Sequence, residues 1–237
     1  MTFCQPSSLR VGGLTPLSTT DWPGMLAAVV FCQGCPWRCG YCHNPGLIPA
    51  RSDSEIPWEE VLAFLRRRQG LLDGVVFSGG EPTLQASLVD AMREVRALGF
   101  KVGLHTGGAY PQHLAAVLPL LDWVGLDVKA PFADYARITG APGSGERALA
   151  GLQQVLESGV AYEIRTTVHP TLLNDGAVTN LARDLAARGV KHYAIQAFRS
   201  QGCQDDFLNQ HATRTQPLQA VGAAVADLFE DFTVRAA

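Results

Sequence analysis

The sequence predicts an α/β fold, a partial and open (βα)6 TIM-like barrel, and three observations carry that expectation. Short apolar runs alternate with amphipathic stretches through most of the chain. Repetition of strand then helix demands a parallel sheet with helices over its outer face. Six such units are too few to close an eight-fold barrel, so the sheet is curved and partly open. Finally, the cysteine-bearing and polar motifs fall at or near the ends of the apolar runs, where a barrel of this kind gathers its functional groups. A flat doubly wound sheet is the competing architecture.

Taken in order, Leu9–Leu17 reads as an extra edge strand or hairpin within residues 1–25, ahead of a barrel spanning residues 26–237. Leu26–Phe31 is the first barrel strand, followed by a cysteine-rich loop and a helix over Pro57–Gln69, where a proline at the start loses no hydrogen bond. Gly74–Ser78 and Phe100–His105 are the next strands, separated by a helix over Gln85–Leu98 that Gly99 closes. A short helix after Pro111 leads to a strand over Trp123–Lys129 and a helix near Glu146–Glu157. Val160–Val168, a helix over Gly176–Arg188, Val190–Ala197 and a helix near Thr215–Phe229 complete six units. No linker or low-complexity stretch divides the chain, so a single domain is expected.

Composition narrows the class. With 237 residues, 47% hydrophobic and 17% charged, the chain can bury a sizeable core. A net charge of −3 with no basic stripe gives nucleic-acid binding no electrostatic support, and Arg66-Arg67-Arg68 reads as the solvated face of a helix. The absence of an 18-residue apolar stretch and of a charged-then-apolar leader predicts a cytoplasmic protein without a membrane span. Of six cysteines, four crowd into Cys32–Cys42 while Cys4 and Cys203 stand alone, a pattern of metal binding rather than of cross-links.

The loop FCQGCPWRCGYCHNP holds Cys35-x3-Cys39-x2-Cys42 directly after the first barrel strand. Three thiolates so close wrap one compact centre, and thiolates select zinc or iron–sulfur. Three protein ligands on a four-iron cluster leave one iron open to chelate the amino and carboxylate groups of a methionine-like ligand. Two competitors include Cys32: a pair of zinc dithiolates, and a closed four-thiolate electron-transfer cluster. Structural zinc sites usually separate their pairs by about 12–20 residues, whereas three intervene here. Cys32 ends an apolar strand and reads more simply as a small buried hydrophobe.

Other motifs follow the later strands. In Ser78-Gly79-Gly80-Glu81-Pro82-Thr83 the paired glycines give a ligand access to the backbone, and Glu81 can accept from an ammonium; a tight turn before a helix is the plainer alternative. His105-Thr106-Gly107-Gly108 ends the third strand, and its histidine reads first as a structural hydrogen-bonder. Asp127 and Lys129, two apart and flanked by Leu126 and Val128, share one face, so an internal salt bridge or a ligand contact is expected. Arg165 lies inside the apolar fifth strand.

Together these segments resemble the radical SAM (S-adenosylmethionine) superfamily. The cysteine spacing with Tyr41 before the last cysteine matches its signature, and SGGEPT its glycine-rich motif. CHNP, LDVKAP and RTTVHPTLL are similar to anaerobic ribonucleoside-triphosphate reductase activating proteins, relatives of pyruvate formate-lyase activating enzyme. The resemblance implies a barrel of the radical SAM type, with a 4Fe–4S cluster on Cys35, Cys39 and Cys42. It implies SAM contacts at Tyr41, Gly79, Gly80, Glu81, Pro82, His105, Thr106, Asp127, Lys129 and Arg165. No side chain need act as a general acid or base. Many activases have an aspartate where His105 stands, which puts any cation site there in doubt, and Gln196–Arg199 lacks a histidine seen in some of them. The implied activity is anaerobic reductive cleavage of SAM to a 5′-deoxyadenosyl radical that takes a hydrogen from a glycine of a partner, anaerobic ribonucleotide reductase. With only Cys4, Cys32 and Cys203 left over, no second cluster can be built, so flavodoxin or ferredoxin would supply electrons. A radical SAM enzyme of a small molecule, an iron–sulfur carrier and a zinc-binding module are the alternatives.

Overall fold

The computed structural model describes residues 8–213 and 218–236. Cys4 and the first residues of the expected last helix, 215–217, lie outside them. Eight strands form one sheet in sequence order: β1 (Val11–Ser18), β2 (Ala27–Cys32), β3 (Gly74–Gly79), β4 (Lys101–Thr106), β5 (Trp123–Asp127), β6 (Ala161–Val168), β7 (His192–Ala197) and β8 (Asp231–Arg235). Only β1 is antiparallel to its neighbour; β2 through β8 run parallel. Since β1 and β8 sit at opposite ends of the order and do not pair, the barrel is open, as the six-unit count requires.

The sheet's two faces are sorted by the period of two. Ala28, Val30, Val75, Phe77, Val102, Leu104, Val124, Leu126 and Ile164 point outward into the main core. That core is covered by α1 (Trp58–Arg66), α2 (Leu88–Ala97), α3 (Pro111–Val117), α4 (Tyr135–Thr139), α5 (Ser144–Ser158), α6 (Asp175–Ala187), α7 (Asp206–Gln210) and α8 (Leu218–Ala223). Cys32 belongs to this outer set and is completely buried. Asn174 caps α6 by accepting from the Ala177 amide at 2.9 Å.

The inner face carries a second, smaller core of Trp22, Ala27, Val29, Val76 and Trp123. Trp22 comes from the β1–β2 loop and stacks on Trp123 at 5.7 Å between ring centroids. Gly74 and Gly103 make room for it, since a Cβ on either would come within 2.9 Å of its ring. An indole pair therefore plugs the end of the barrel where its strands begin. Among the described residues no helix is long and apolar enough to cross a membrane.

Besides the short helices α4 and α7, which the sequence reading did not include, two elements differ from it. The helix expected through Phe229 stops early: α8 gives way to a 3-10 turn over Ala226–Leu228 and then to β8, a seventh parallel strand. Phe229 and Phe232 pack on Tyr193 at 4.9 and 5.9 Å, and this burial overrides the helical pattern. The other difference lies before α2, where Pro82–Leu84 forms a 3-10 turn and the helix starts only at Leu88. Gln85 is held out of it, bonding Arg10 N and O and the Gln33 carbonyl at 2.8–3.0 Å.

Candidate active site at the strand ends

The cysteine loop leaves β2 and is fixed by its backbone. Gly34 and Cys35 amides donate to Leu47 and Ile48 carbonyls at 2.8 and 3.1 Å, Arg38 N to Thr139 O at 2.8 Å, and Cys42 N to Cys39 O at 3.0 Å. Gln33, itself buried, holds the returning strand through Gly46 O and Pro49 O at 3.1 and 2.7 Å. A segment after β7 covers the loop's far side, with His43 Nε2 bonded to Arg199 O at 2.9 Å and the Cys203 thiol donating to Gly40 O at 3.5 Å.

Cys35, Cys39 and Cys42 are half-buried. Burial pushes the Cys35 thiol up to about 12 and raises Cys39 as well, while Lys129 works in the opposite direction on both. Among the described residues no three Cys, His, Asp or Glu side chains converge as they would on a single metal ion. The donor set consists of thiols alone, which fits an iron–sulfur cluster. Two buried polar atoms without a partner, Trp37 Nε1 and Tyr41 Oη, lie on the same loop.

Lys129 stands beside it. Its ammonium pairs with Asp127 Oδ2 at 3.2 Å and lies 6.0 and 5.8 Å from the ring centroids of Trp37 and Tyr41. The strand ends at Asp127, and Tyr135 Oη locks the turn beyond it, accepting from Lys129 N at 2.9 Å and donating to Asp127 O at 3.2 Å. Burial opposes the Lys129 charge, but its neighbours, the Asp127 carboxylate among them, outweigh it and raise its pKa. Asp127 is likewise held below its ordinary range: burial works against its charge, and Lys129, Arg165 and His105 prevail. The expected internal salt bridge is present.

The glycine-rich motif folds as a tight turn ahead of α2, and its polar groups are engaged within the protein. Glu81 is buried, and its carboxylate accepts from Thr83 N and Oγ1 at 3.1 and 2.6 Å, Thr106 Oγ1 at 2.6 Å and Gly107 N at 2.9 Å. It clasps the ends of β3 and β4 together, and the Thr106 hydroxyl is spent on it. Gly79 has φ +117°, and a Cβ there would meet Cys32 N at 2.4 Å; one on Gly80 would meet Gly34 O at 2.3 Å. The room the glycines make is filled by the chain's own cysteine loop. Pro82, buried, opens the 3-10 turn.

His105 and Arg165 meet inside the barrel, with Arg165 Nη1 3.0 Å from His105 Nε2. His105 Nε2 also lies 2.7 Å from Asp21 O. A neutral ring can donate Nε2–H to that carbonyl or offer the lone pair to Arg165, not both. Burial and the Arg165 charge push the imidazole down to about 4, so it is neutral at pH 7. Asp127 and Arg165 are direct neighbours in the β5–β6 register. Sequence reasoning missed the roles of Asp21, Trp37, Thr83, Glu163 and Arg235; Trp37 and Thr83 lie within the quoted cysteine and glycine-rich motifs and Glu163 in a period-two alternation, whereas nothing local marks Asp21 or Arg235.

Known proteins are similar to this chain in sequence and in fold. The family model of the radical SAM superfamily matches residues 29–185, about two thirds of the chain. A Methanocaldococcus jannaschii protein, provisionally described as a glycyl-radical enzyme activating enzyme, is 28% identical over 95% of both chains. The pyruvate formate-lyase-activating enzyme of Clostridium pasteurianum is 35% identical over 69% of this chain and 70% of its own. In solved structures the fold is similar to Streptococcus suis SuiB bound to the precursor peptide SuiA, with TM-score 0.66 at 13% identity over 87% of this chain. That match spans 48% of SuiB, so this chain covers about half the length of that neighbour. It is also similar to a radical SAM methyltransferase of Sphaerobacter thermophilus, with TM-score 0.65 at 18% identity over 91% of this chain and 67% of the other. The chain belongs to the radical SAM superfamily and, within it, to the glycyl-radical enzyme activating enzymes.

Proposed function

We propose that this chain activates anaerobic ribonucleoside-triphosphate reductase by generating a glycyl radical on it. The observation that carries the reading is the three-cysteine loop set beside the Lys129–Asp127 pair at the open end of the barrel. Cys35, Cys39 and Cys42 would hold a 4Fe–4S cluster. Bound there, cluster and SAM would supply a 5′-deoxyadenosyl radical, formed with release of methionine on taking one electron from the external donor, for removal of a glycine hydrogen. Lys129 and Arg165 offer cationic donors to the SAM carboxylate, and Asp127 and the Gly79–Pro82 turn offer acceptors. Tyr41, with Trp37 and Tyr135, walls this region with aromatic surface that excludes water. His105, neutral, serves to place Arg165. CHNP, LDVKAP and RTTVHPTLL support the choice of partner. An external flavodoxin or ferredoxin would supply the electrons, a reading supported by the packing of Cys32 in the outer core, away from any second cluster.

Anaerobically reconstituted protein should cleave SAM to 5′-deoxyadenosine on reduction. Mixed with anaerobic ribonucleotide reductase, it should produce a glycyl doublet in electron paramagnetic resonance. Cleavage without a doublet on any glycyl-radical partner would point to a small-molecule substrate instead. Protein that takes up zinc and no iron would sink the reading.

A further inference from the structure

Arg165 is held from two sides. Its Nε donates to Glu163 Oε1 at 2.7 Å, its Nη1 sits at His105, and its Nη2 is 3.4 Å from Asp21 O. Its guanidinium carbon lies 4.9 Å from the centre of the Trp123 ring. Glu163 in turn is gripped from β8: Arg235 Nη1 donates to Oε1 at 2.8 Å and Nη2 to Oε2 at 2.7 Å. This is a two-pronged guanidinium–carboxylate pair, the geometry that fixes a carboxylate in plane as well as in place. The Glu163 side chain is only 12% exposed, so the arrangement is desolvated enough to be stiff.

Glu163, Arg165 and Arg235 all project from the inner face, on β6 and β8. The two strands are not neighbours; β7 lies between them. Its inner-face residue in this region, Ala194, pairs with Arg165 on one side and Thr233 on the other. Alanine at that position leaves the arginine and the carboxylate room to meet across it. Of the five N–H donors of Arg165, one is held by Glu163, one points at Asp21 O and a third meets His105 when that ring offers its lone pair, which leaves at least two for a ligand.

We propose that Arg235 is a positioning residue for SAM binding: through Glu163 it sets the direction in which Arg165 presents its free donors beside Asp127. The inference rests on the reading of the barrel interior as the SAM site. Removing Arg235 frees the Glu163 carboxylate to rotate, and Arg165 loses the fixed acceptor on its Nε.

The test is SAM affinity of the cluster-loaded protein by anaerobic isothermal titration. Arg235→Ala should weaken binding about tenfold, in the range typical of losing a supporting partner, and Arg235→Lys should recover part of that. Because Arg235 acts through Arg165, adding Arg235→Ala to Arg165→Ala should change affinity by no more than about twofold. Val234→Ala, which trims packing on the same strand without touching the clamp, should leave affinity unchanged. Wild-type affinity in Arg235→Ala, or a full additional loss in the Arg165→Ala background, would overturn the proposal. A wild-type protein that binds no SAM would instead reject the functional reading. The clamp is then decided by the crystal structure of Arg235→Ala, where a guanidinium of Arg165 still seated against His105 overturns it.

Discussion

A buried carboxylate with four hydrogen bonds makes Glu81 the residue on which the rim of the barrel depends. Glu81→Gln turns one acceptor oxygen into a donor facing Gly107 N–H or the threonine hydroxyls, at a cost of about 2–4 kcal/mol. Thermal unfolding should register this as a clear drop in Tm, and a variant melting like wild type would show that the clasp is dispensable. The cysteines divide by face: alanine at 35, 39 or 42 should abolish iron binding, whereas Cys32→Ala should keep it. Iron analysis after reconstitution reads both. The cysteine spacing was visible in the sequence because all three ligands come from one loop of eight residues. The role of Gly79 was not, because the reason for it is a contact with Cys32 and a positive φ, both products of how β2 and β3 lie side by side.

At the scale of elements, β2 to β7 were legible because parallel strands covered by helices read as near-continuous apolar runs. The strand β8 was not, since five residues with two outward apolar positions cannot be told from a helix end until Phe229 and Phe232 find Tyr193. Its attachment is also acid-sensitive. Burial raises the pKa of Glu163, but hydrogen bonds from Arg235 and Arg165 and their charges more than compensate, so the folded value lies below the unfolded one. Such a group stabilises fully above its unfolded pKa of about 4.3, and the contribution is lost as pH falls through the folded value. The stability difference between wild type and Arg235→Ala should therefore hold steady from about pH 8 to 5 and shrink below about 4. A difference that grew on acidification would contradict the clamp.

For the whole molecule, the sheet stays open between β1 and β8, the Trp22–Trp123 pair fills the interior where the strands begin, and the cysteine loop lies at the face where they end. Fold class and the location of this face followed from the alternation of elements alone. Which side chains meet inside did not, because His105, Arg165 and Asp21 are far apart in sequence and are joined only by barrel curvature.

The cysteine loop has a bearing on how the enzyme matures. Its amides are bonded to Leu47, Ile48 and Thr139 carbonyls, and Glu81 N donates to Gly34 O at 2.8 Å. Small zinc modules, whose ligands are their scaffold, unfold when stripped. Here the loop is tied to the rest of the fold by backbone hydrogen bonds of its own, so the apoprotein is expected to keep its fold. Far-ultraviolet circular dichroism of the apoprotein should overlay that of the reconstituted enzyme, and both should melt cooperatively. An apoprotein without a cooperative transition would show that assembly and folding are one event.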